Sequence, residues 1–417
     1  MACRGSFPLN EQPYFVLDDS LVRLEANEST TTISGTIEGT GPVSMAENGT
    51  QLCILVPGGK GYIYTVAGGL VEITDTDFTA NGNPIAVTYV DGYFVFVTDT
   101  KKIIVSNLND GLAYNALDFG EPESDPDEAV APAVLFNQLF IGGKTTFEAY
   151  SNIGGAAFPF QRSNLFYQVG VVSESTLQQT PDSFVWIGNA KRQRPAVWMA
   201  KGNRPEKIST RGIEILLGDL TTDELEAVTS WSYGIDGQYF CGWNLPDTTI
   251  VYDFTTGRWH ERQSRISTGI NDWRITASRQ RNHIVAYGKI YVGDSQDNRL
   301  GRLDDNIYSE YGNLMFREFT TQPFMNNLSP FSVSSLELHM ESGVGGNTEA
   351  EVVMWQSKDG GRNYVAPRTR SFGRRGEYNR RAIWRRLGRT DMTVSYKFRI
   401  SDPVKVTGIQ LMADIEE

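Results

Sequence analysis

Few residues in this chain have both the type and the spacing for chemistry, and each has a plainer structural use. Ser357-Lys358-Asp359-Gly360-Gly361-Arg362-Asn363-Tyr364 fits an Asp-box turn, where Asp and Gly suit the backbone of a β-hairpin. Phe398-Arg399-Ile400 has the form of an arginine motif used by carbohydrate enzymes. Glycoside hydrolysis also needs a positioned acid/base pair, usually two carboxylates, and no such pair can be nominated. His260, His283 and His339 are too few and too scattered for a metal centre, and read as ordinary surface or turn residues. Cys3, Cys53 and Cys241 have no CxxC spacing and read as reduced thiols of a protein made in cytoplasm. Pro57 to Tyr62, PGGKGY, lacks the spacing and the following helix of a phosphate loop. No catalytic, cofactor-binding or metal site is therefore expected, and no cofactor.

Charge is more informative. The chain has a net charge of -12, yet residues 358–399 hold thirteen Lys or Arg against three acids. Arg374, Arg375, Arg380, Arg381, Arg385, Arg386 and Arg389 form the centre of this run. One reading is a solvated strand face with Trp384 and Leu387 pointing inward. The other is a patch that pairs with carboxylates on a neighbouring protein or with DNA phosphate. In a regular strand Arg385 and Arg386 cannot face the same partner. The opposite extreme is residues 121–128, EPESDPDE, with five acids in a Pro-broken loop. An acidic body with a basic end suits assembly against an oppositely charged neighbour better than nucleic-acid binding by the whole protein.

The elements that carry these residues are strands. Asp236 to Glu261, DGQYFCGWNLPDTTIVYDFTTGRWHE, reads as three antiparallel strands: Gln238 to Trp243, Thr249 to Asp253, and a third starting at Arg258. Such a sheet needs partners for its apolar faces. Its leading turn recurs as Asn48-Gly49, Asp91-Gly92, Asn137-Gln138, Asp182-Ser183, Asp236-Gly237 and Arg281-Asn282, at steps of 43, 46, 45, 54 and 45 residues. An earlier partial unit sits at Asn10 to Glu25. Short strands at this period are the sequence form of β-propeller blades, here six or seven; an irregular β-sandwich is the alternative. The long step holds an insertion near residues 210–228. Thr221 to Val228 is its one clear helix, with Thr221 and Glu224 as a capping box. Ile208 to Leu220 is ambiguous between strand and helix.

After Tyr311 the period is lost. Short alternating segments follow, among them SSLELHMES, EAEVVMWQS and TVSYKFRIS, as in sheets with one wet face. The expected fold class is all-β: a propeller over residues 1–310, then an antiparallel β-sandwich over 311–417. The 41 Gly and 11% aromatics suit many tight turns and sheet faces. No stretch is long and apolar enough to span a bilayer. No apolar run follows the basic residue near Met1, so no signal peptide is expected.

Gly376 to Arg389, GEYNRRAIWRRLGR, followed by Phe398 to Leu411, FRISDPVKVTGIQL, resembles the closing pattern of the tail hub proteins of short-tailed phages of the Salmonella type. These are also called packaged-DNA stabilisation proteins or tail nozzles. Supporting matches are Phe147 to Arg162, Gly170 to Gly188, Pro195 to Thr210 and Val251 to Glu261. Members usually begin with several dozen further residues, whereas Met1 falls almost directly at a strand. The resemblance implies a structural virion protein of the tail, assembled in the host cytoplasm. It implies a hexameric ring below the portal and its adaptor that extends the DNA channel, retains the packaged genome and takes part in its ejection. Implied partners are other copies of the chain, the adaptor, a tail needle or plug, a tailspike or tail fibre, and double-stranded DNA passing without sequence-specific binding.

The competing class is a carbohydrate-active or protein-interaction propeller outside any virion. Sialidases, the nearest such enzymes by motif, carry one Asp box per blade with the arginine motif ahead of them. Here one box lies outside the repeat and the order is reversed, which argues against an enzyme.

Overall fold

The computed structural model describes residues 2–122, 127–155, 157–190, 193–269, 272–327, 329–343 and 349–416. The chain divides into two compact units, residues 1–263 with 275–303, and residues 264–274 with 304–417.

The first unit holds seven antiparallel sheets, at residues 3–32, 44–72, 84–120, 129–167, 178–207, 229–263 with 275–277, and 280–303. Each sheet packs its first strand against the next sheet, and the seventh packs against the first. This is a closed seven-bladed propeller. The reason lies in the second strand of the blades. Leu52-Cys53-Ile54-Leu55, Phe94-Val95-Phe96-Val97 and Phe184-Val185-Trp186-Ile187 are apolar at every position and fully buried. Side chains alternate across a strand, so such a run needs an apolar neighbour on both sides. Leu52 and Ile54 join the core toward the first blade, while Cys53 and Leu55 join the core toward the third. Phe94 and Phe96 face back, Val95 and Val97 forward. One hydrophobic core thus fills each seam. The three cysteines sit in three different seams and are unbridged, and burial pushes the Cys3 thiol up to about 11.

Tight turns set the period. Asp91-Gly92 and Asp236-Gly237 hold φ of +51° and +91°, and +48° and +77°, the pattern of a type I′ hairpin turn. The sixth expected marker, Arg281-Asn282, is instead inside the strand Gln280–Ala286, at an irregularity where Asn282 has φ +51°. The hairpin turn of that blade is Tyr287-Gly288. Asn tolerates the left-handed region at bulges as it does at turns, so the two cannot be told apart by residue type.

Between the fifth and sixth blades lie α1 (Arg211–Gly218) and α2 (Thr222–Glu226). The ambiguous stretch holds the longer helix. The capping box of α2 is complete: Thr221 Oγ1 accepts from Glu224 N at 3.3 Å, and Glu224 Oε2 accepts from Thr221 N at 2.9 Å. Ile213, Leu217 and Leu225 plug the seam beside Trp243.

The second unit contains a sandwich. One sheet orders Arg317–Thr320, Thr393–Ile400, Ala350–Ser357 and Val365–Gly373, with Phe324–Met325 also on Thr393–Ile400. The other orders Ala382–Thr390, Phe331–Met340 and Gly408–Glu416. Leu336, Val352, Met354, Trp384, Tyr396 and Phe398 fill the space between them.

Closure of the ring depends on the seam between its last and first blades. Ser6 Oγ donates to Asn282 O at 2.9 Å, Asn282 Nδ2 to Cys3 O at 3.1 Å, and Tyr287 OH to Leu24 O at 3.1 Å. Gly293 is glycine for a steric reason, since a Cβ there would collide with Cys3 Cβ and Sγ. Gly293→Ala is expected to destabilise the isolated chain by about 1–3 kcal/mol in denaturant unfolding. Adding Cys3→Gly, which removes the colliding atoms, should recover part of that loss; a purely additive double mutant would show that this contact does not limit closure.

Candidate assembly surface

The seven arginines singled out by sequence fall on one loop and the strand that follows it. Arg374, Arg375, Arg380 and Arg381 lie between strands Val365–Gly373 and Ala382–Thr390; Arg385, Arg386 and Arg389 are on the latter. All seven are exposed. Trp384 and Leu387 are buried in the sandwich core, as the inward reading of that strand requires. Trp384 Nε1 donates to Arg368 O at 2.9 Å.

Two inward residues three apart do not fit a regular strand. The register explains it: Val333 pairs with Gly388 and Ser335 with Arg385, so Arg386 and Leu387 oppose Ser334 alone. This is a β-bulge, two residues against one. Arg386 has φ +60° and Gly388 has φ +85°. The bulge resets the alternation, so Arg385 and Arg386 are both exposed. The restriction that they cannot share a partner held only for a regular strand, and it is lifted.

The arginines differ in their partners. Arg381 makes a two-pronged pair with Glu337, with Nε to Oε1 at 2.6 Å and a second, shorter contact from NH2 to Oε2. Arg374 lies 3.5 Å from Glu377 and 3.8 Å from Glu349. Arg375, Arg380, Arg385, Arg386 and Arg389 have no ion pair among the described residues. The acidic loop gives no counter-surface to describe. Its residues 123–126 lie outside the described residues, Asp127 accepts from Thr145 N at 2.7 Å, and Glu128 pairs with Lys144 at 3.0 Å.

The motifs that suggested sugar chemistry are occupied by structure. Asp359 accepts from Ser357 Oγ at 2.6 Å, from Asn363 N and Arg362 N at 3.0 Å, and from Asn363 Nδ2 at 2.7 Å. The Ser357 hydroxyl and then the Asn363 groups hold its carboxyl well below the usual range. Arg399 pairs with Glu318 at 2.8 Å and lies over the Phe316 and Trp355 rings.

His283 corrects an expectation. It is no surface or turn residue: its ring stacks on Trp231 and Tyr233, and both nitrogens are buried without a hydrogen-bond partner. Burial first, and then Arg262, hold it well below its ordinary value, so it sits neutral. A lone His gives no signal in sequence that separates this packing from exposure. No group of three or more metal-ligating side chains occurs among the described residues.

Seven closed sheets followed by a two-sheet sandwich define a propeller–sandwich protein whose distinctive surface is basic. Residues 2–308 match the family model described as Bacteriophage P22 Gp10, beta-propeller, and residues 316–416 match Bacteriophage P22 Gp10, beta-sandwich. The chain belongs to this family. It is 22% identical over 397 residues to the tail hub protein gp10 of Salmonella phage P22, covering 90% of this chain and 81% of that protein. Among solved structures, virginiamycin B lyase from Staphylococcus aureus gives a TM-score of 0.47 at 8% identity, over 72% of this chain and 94% of that one. The WD40 propeller of Doa1 gives 0.38 at 12% identity, over 72% and 92%. Both likenesses are too weak to bear on function.

Glu337 gives a pH test of the Arg381 pair. Arg381 lowers its carboxyl in the folded chain. A depressed folded value contributes stability above the unfolded value, about 4.3 for Glu, and the contribution is lost as pH falls through the folded value. Arg381→Met should therefore be less stable than the parent at pH 7, with the gap closing below about pH 4. A gap constant from pH 7 to 3 in thermal unfolding would mean that the pair contributes through packing instead.

Proposed function

We propose that this protein is the hub of a short phage tail, a structural virion protein rather than an enzyme. In this reading six copies form a ring below the portal and its adaptor. The ring extends the DNA channel, retains the packaged genome and takes part in its ejection. A needle or plug closes the exit, and tailspikes or fibres attach near the adaptor. DNA passes without sequence-specific binding. The working division is residues 1–310 as propeller and 311–417 as sandwich. Family membership over both modules and the likeness to the P22 tail hub support this reading.

One observation carries the assembly claim. Five exposed arginines have no carboxylate partner among the described residues, in a segment with thirteen basic residues against three acids. Like charges so concentrated repel, and a carboxylate surface on a neighbour offsets them. Arginine's planar fork suits directed pairing with carboxylates. Arg386 strengthens the case. A left-handed backbone costs a non-glycine residue roughly 1–2 kcal/mol, a cost that glycine escapes. An arginine kept at φ +60° marks a side chain wanted there. In a cyclic ring each subunit meets its neighbours through two different patches, so the basic surface needs an unlike partner surface.

Arg385→Glu with Arg386→Glu is expected to block tail completion and leave filled heads that leak DNA, while the isolated chain still folds. Normal infectious particles from this double mutant would overturn the assignment of the surface. Arg386→Gly separates assembly from folding. It should leave stability within roughly 1 kcal/mol of the parent, because relief of backbone strain offsets the looser unfolded chain. Completed tails should nevertheless fall in number. If unfolding and tail yield decline together, Arg386 serves the fold alone.

A further inference from the structure

Among the described residues the seventh blade has at least one strand fewer than any other. It orders only Gln280–Ala286, Lys289–Asp294 and Leu300–Leu303, whereas each of the other six sheets of the propeller has four strands or five. Among the described residues, strand Leu300–Leu303 pairs only with Lys289–Asp294. Its four residues are half-buried. A strand edge presents a row of unpaired N–H and C=O groups, which template a further strand.

The space beside this edge is formed. A groove of about 660 Å³ runs between Leu300–Leu303 and the first blade. Val22, Leu24, Tyr291 and Leu300 form the apolar part of a lining in which Ser20, Thr30, Thr32 and Asn298 are polar. Asp18 and Asp19 are also on its wall, and neither is in an ion pair among the described residues. Glu28, which also lines the groove, is already neutralised by Lys289 and Arg302, each at 2.6 Å.

We propose that this groove accepts an extended segment of a second tail protein, which adds the fourth strand of the seventh blade. The edge supplies the backbone pairing, and the apolar lining takes alternate side chains, the mode of β-strand addition. The carboxylates of Asp18 and Asp19, which are in no ion pair among the described residues although Asp19 Oδ1 accepts from Ser20 Oγ at 2.9 Å, select a Lys or Arg beside those apolar residues. A second copy of this chain is a poor donor. Among the described residues every strand is already paired within its own sheet, so a copy would have to break a blade or the sandwich to lend one. The proposal rests on the tail reading for the identity of the donor, and on the groove alone for its chemistry.

Asn298 lines the groove and is exposed, so it can carry a photo-reactive side chain. In intact particles, Asn298→benzoylphenylalanine is expected to cross-link to a different tail protein on irradiation. Amide exchange of Leu300–Leu303 should slow by roughly tenfold or more in the particle relative to the isolated chain, as pairing of that edge requires. Asp18→Asn with Asp19→Asn keeps turn-compatible residues and should lower cross-link yield by at least roughly threefold, since only the charge is removed. A cross-link within this chain or to another copy of it overturns the proposal. So does a particle in which the chain is present but the edge exchanges at its isolated rate. Absence of the chain from the tail sinks the tail reading itself, and this inference with it.

Discussion

Every blade of this propeller has two apolar faces, and no blade can bury both by itself. That constraint orders the whole first unit. A run such as Phe94-Val95-Phe96-Val97 is stable only between two neighbours, so each sheet is held by the sheets before and after it. The chain of dependence ends only when the last sheet meets the first. Among the described residues that meeting is made by packing and side-chain hydrogen bonds, and no strand passes from one of the two sheets to the other. Cys3, Phe15 and Leu24 from the first blade pack with Ile284, Ala286 and Tyr291 from the last. The absence of a Cβ at Gly293 and the left-handed turn of Asn282 toward Cys3 are local consequences of that closure.

The sandwich solves the same problem differently. Its two sheets each cover one face of the other, so one face of each sheet is left for solvent or for partners. On strand Ala382–Thr390 the inward positions anchor through Trp384 and Leu387. The bulge between them turns Arg386 outward beside Arg385. A regular strand would have put one of the two into the core, where an unpaired guanidinium costs far more than a bulge does. The basic surface and the apolar core of this strand are therefore two results of one irregularity.

The propeller was readable because its turns and its two-sided strands both leave marks in sequence. Asp91-Gly92 and Asp236-Gly237 are tied by backbone geometry to their residue types. The number of blades was not readable. The seventh blade puts Asn282 inside a strand, and its hairpin turn is Tyr287-Gly288, a less diagnostic pair. In Ile208 to Leu220 the apolar residues cluster too closely to separate a strand from α1. The arginine surface was legible as composition, and Trp384 and Leu387 as its inward anchors. The bulge was not, since a left-handed arginine gives no sign in sequence beyond Gly388 two residues later. His283 was misread because the aromatic rings that enclose it come from another blade.

What separates a functional arginine from a structural one in this chain is its partners, and residue type gives no guide. Arg4 is buried and donates to four backbone carbonyls, those of Gly41, Asp18, Ile37 and Glu38, at 2.7 to 3.0 Å. Its donors are spent on holding a connection onto the first blade. Arg279 is enclosed with Asp294, at 2.5 and 2.9 Å, with Asp297 3.7 Å from Arg279 and Arg299 3.6 Å from Asp294 extending the pair. Arg399 is taken by Glu318 and two aromatic rings. Each of these is a cation whose field is cancelled within the chain. Arg375, Arg380, Arg385, Arg386 and Arg389 keep theirs. On a chain of net charge -12, the excess of ten basic residues in 358–399 is not needed for solubility, which the acidic remainder already serves. It is a local field that the described residues of this chain do not cancel.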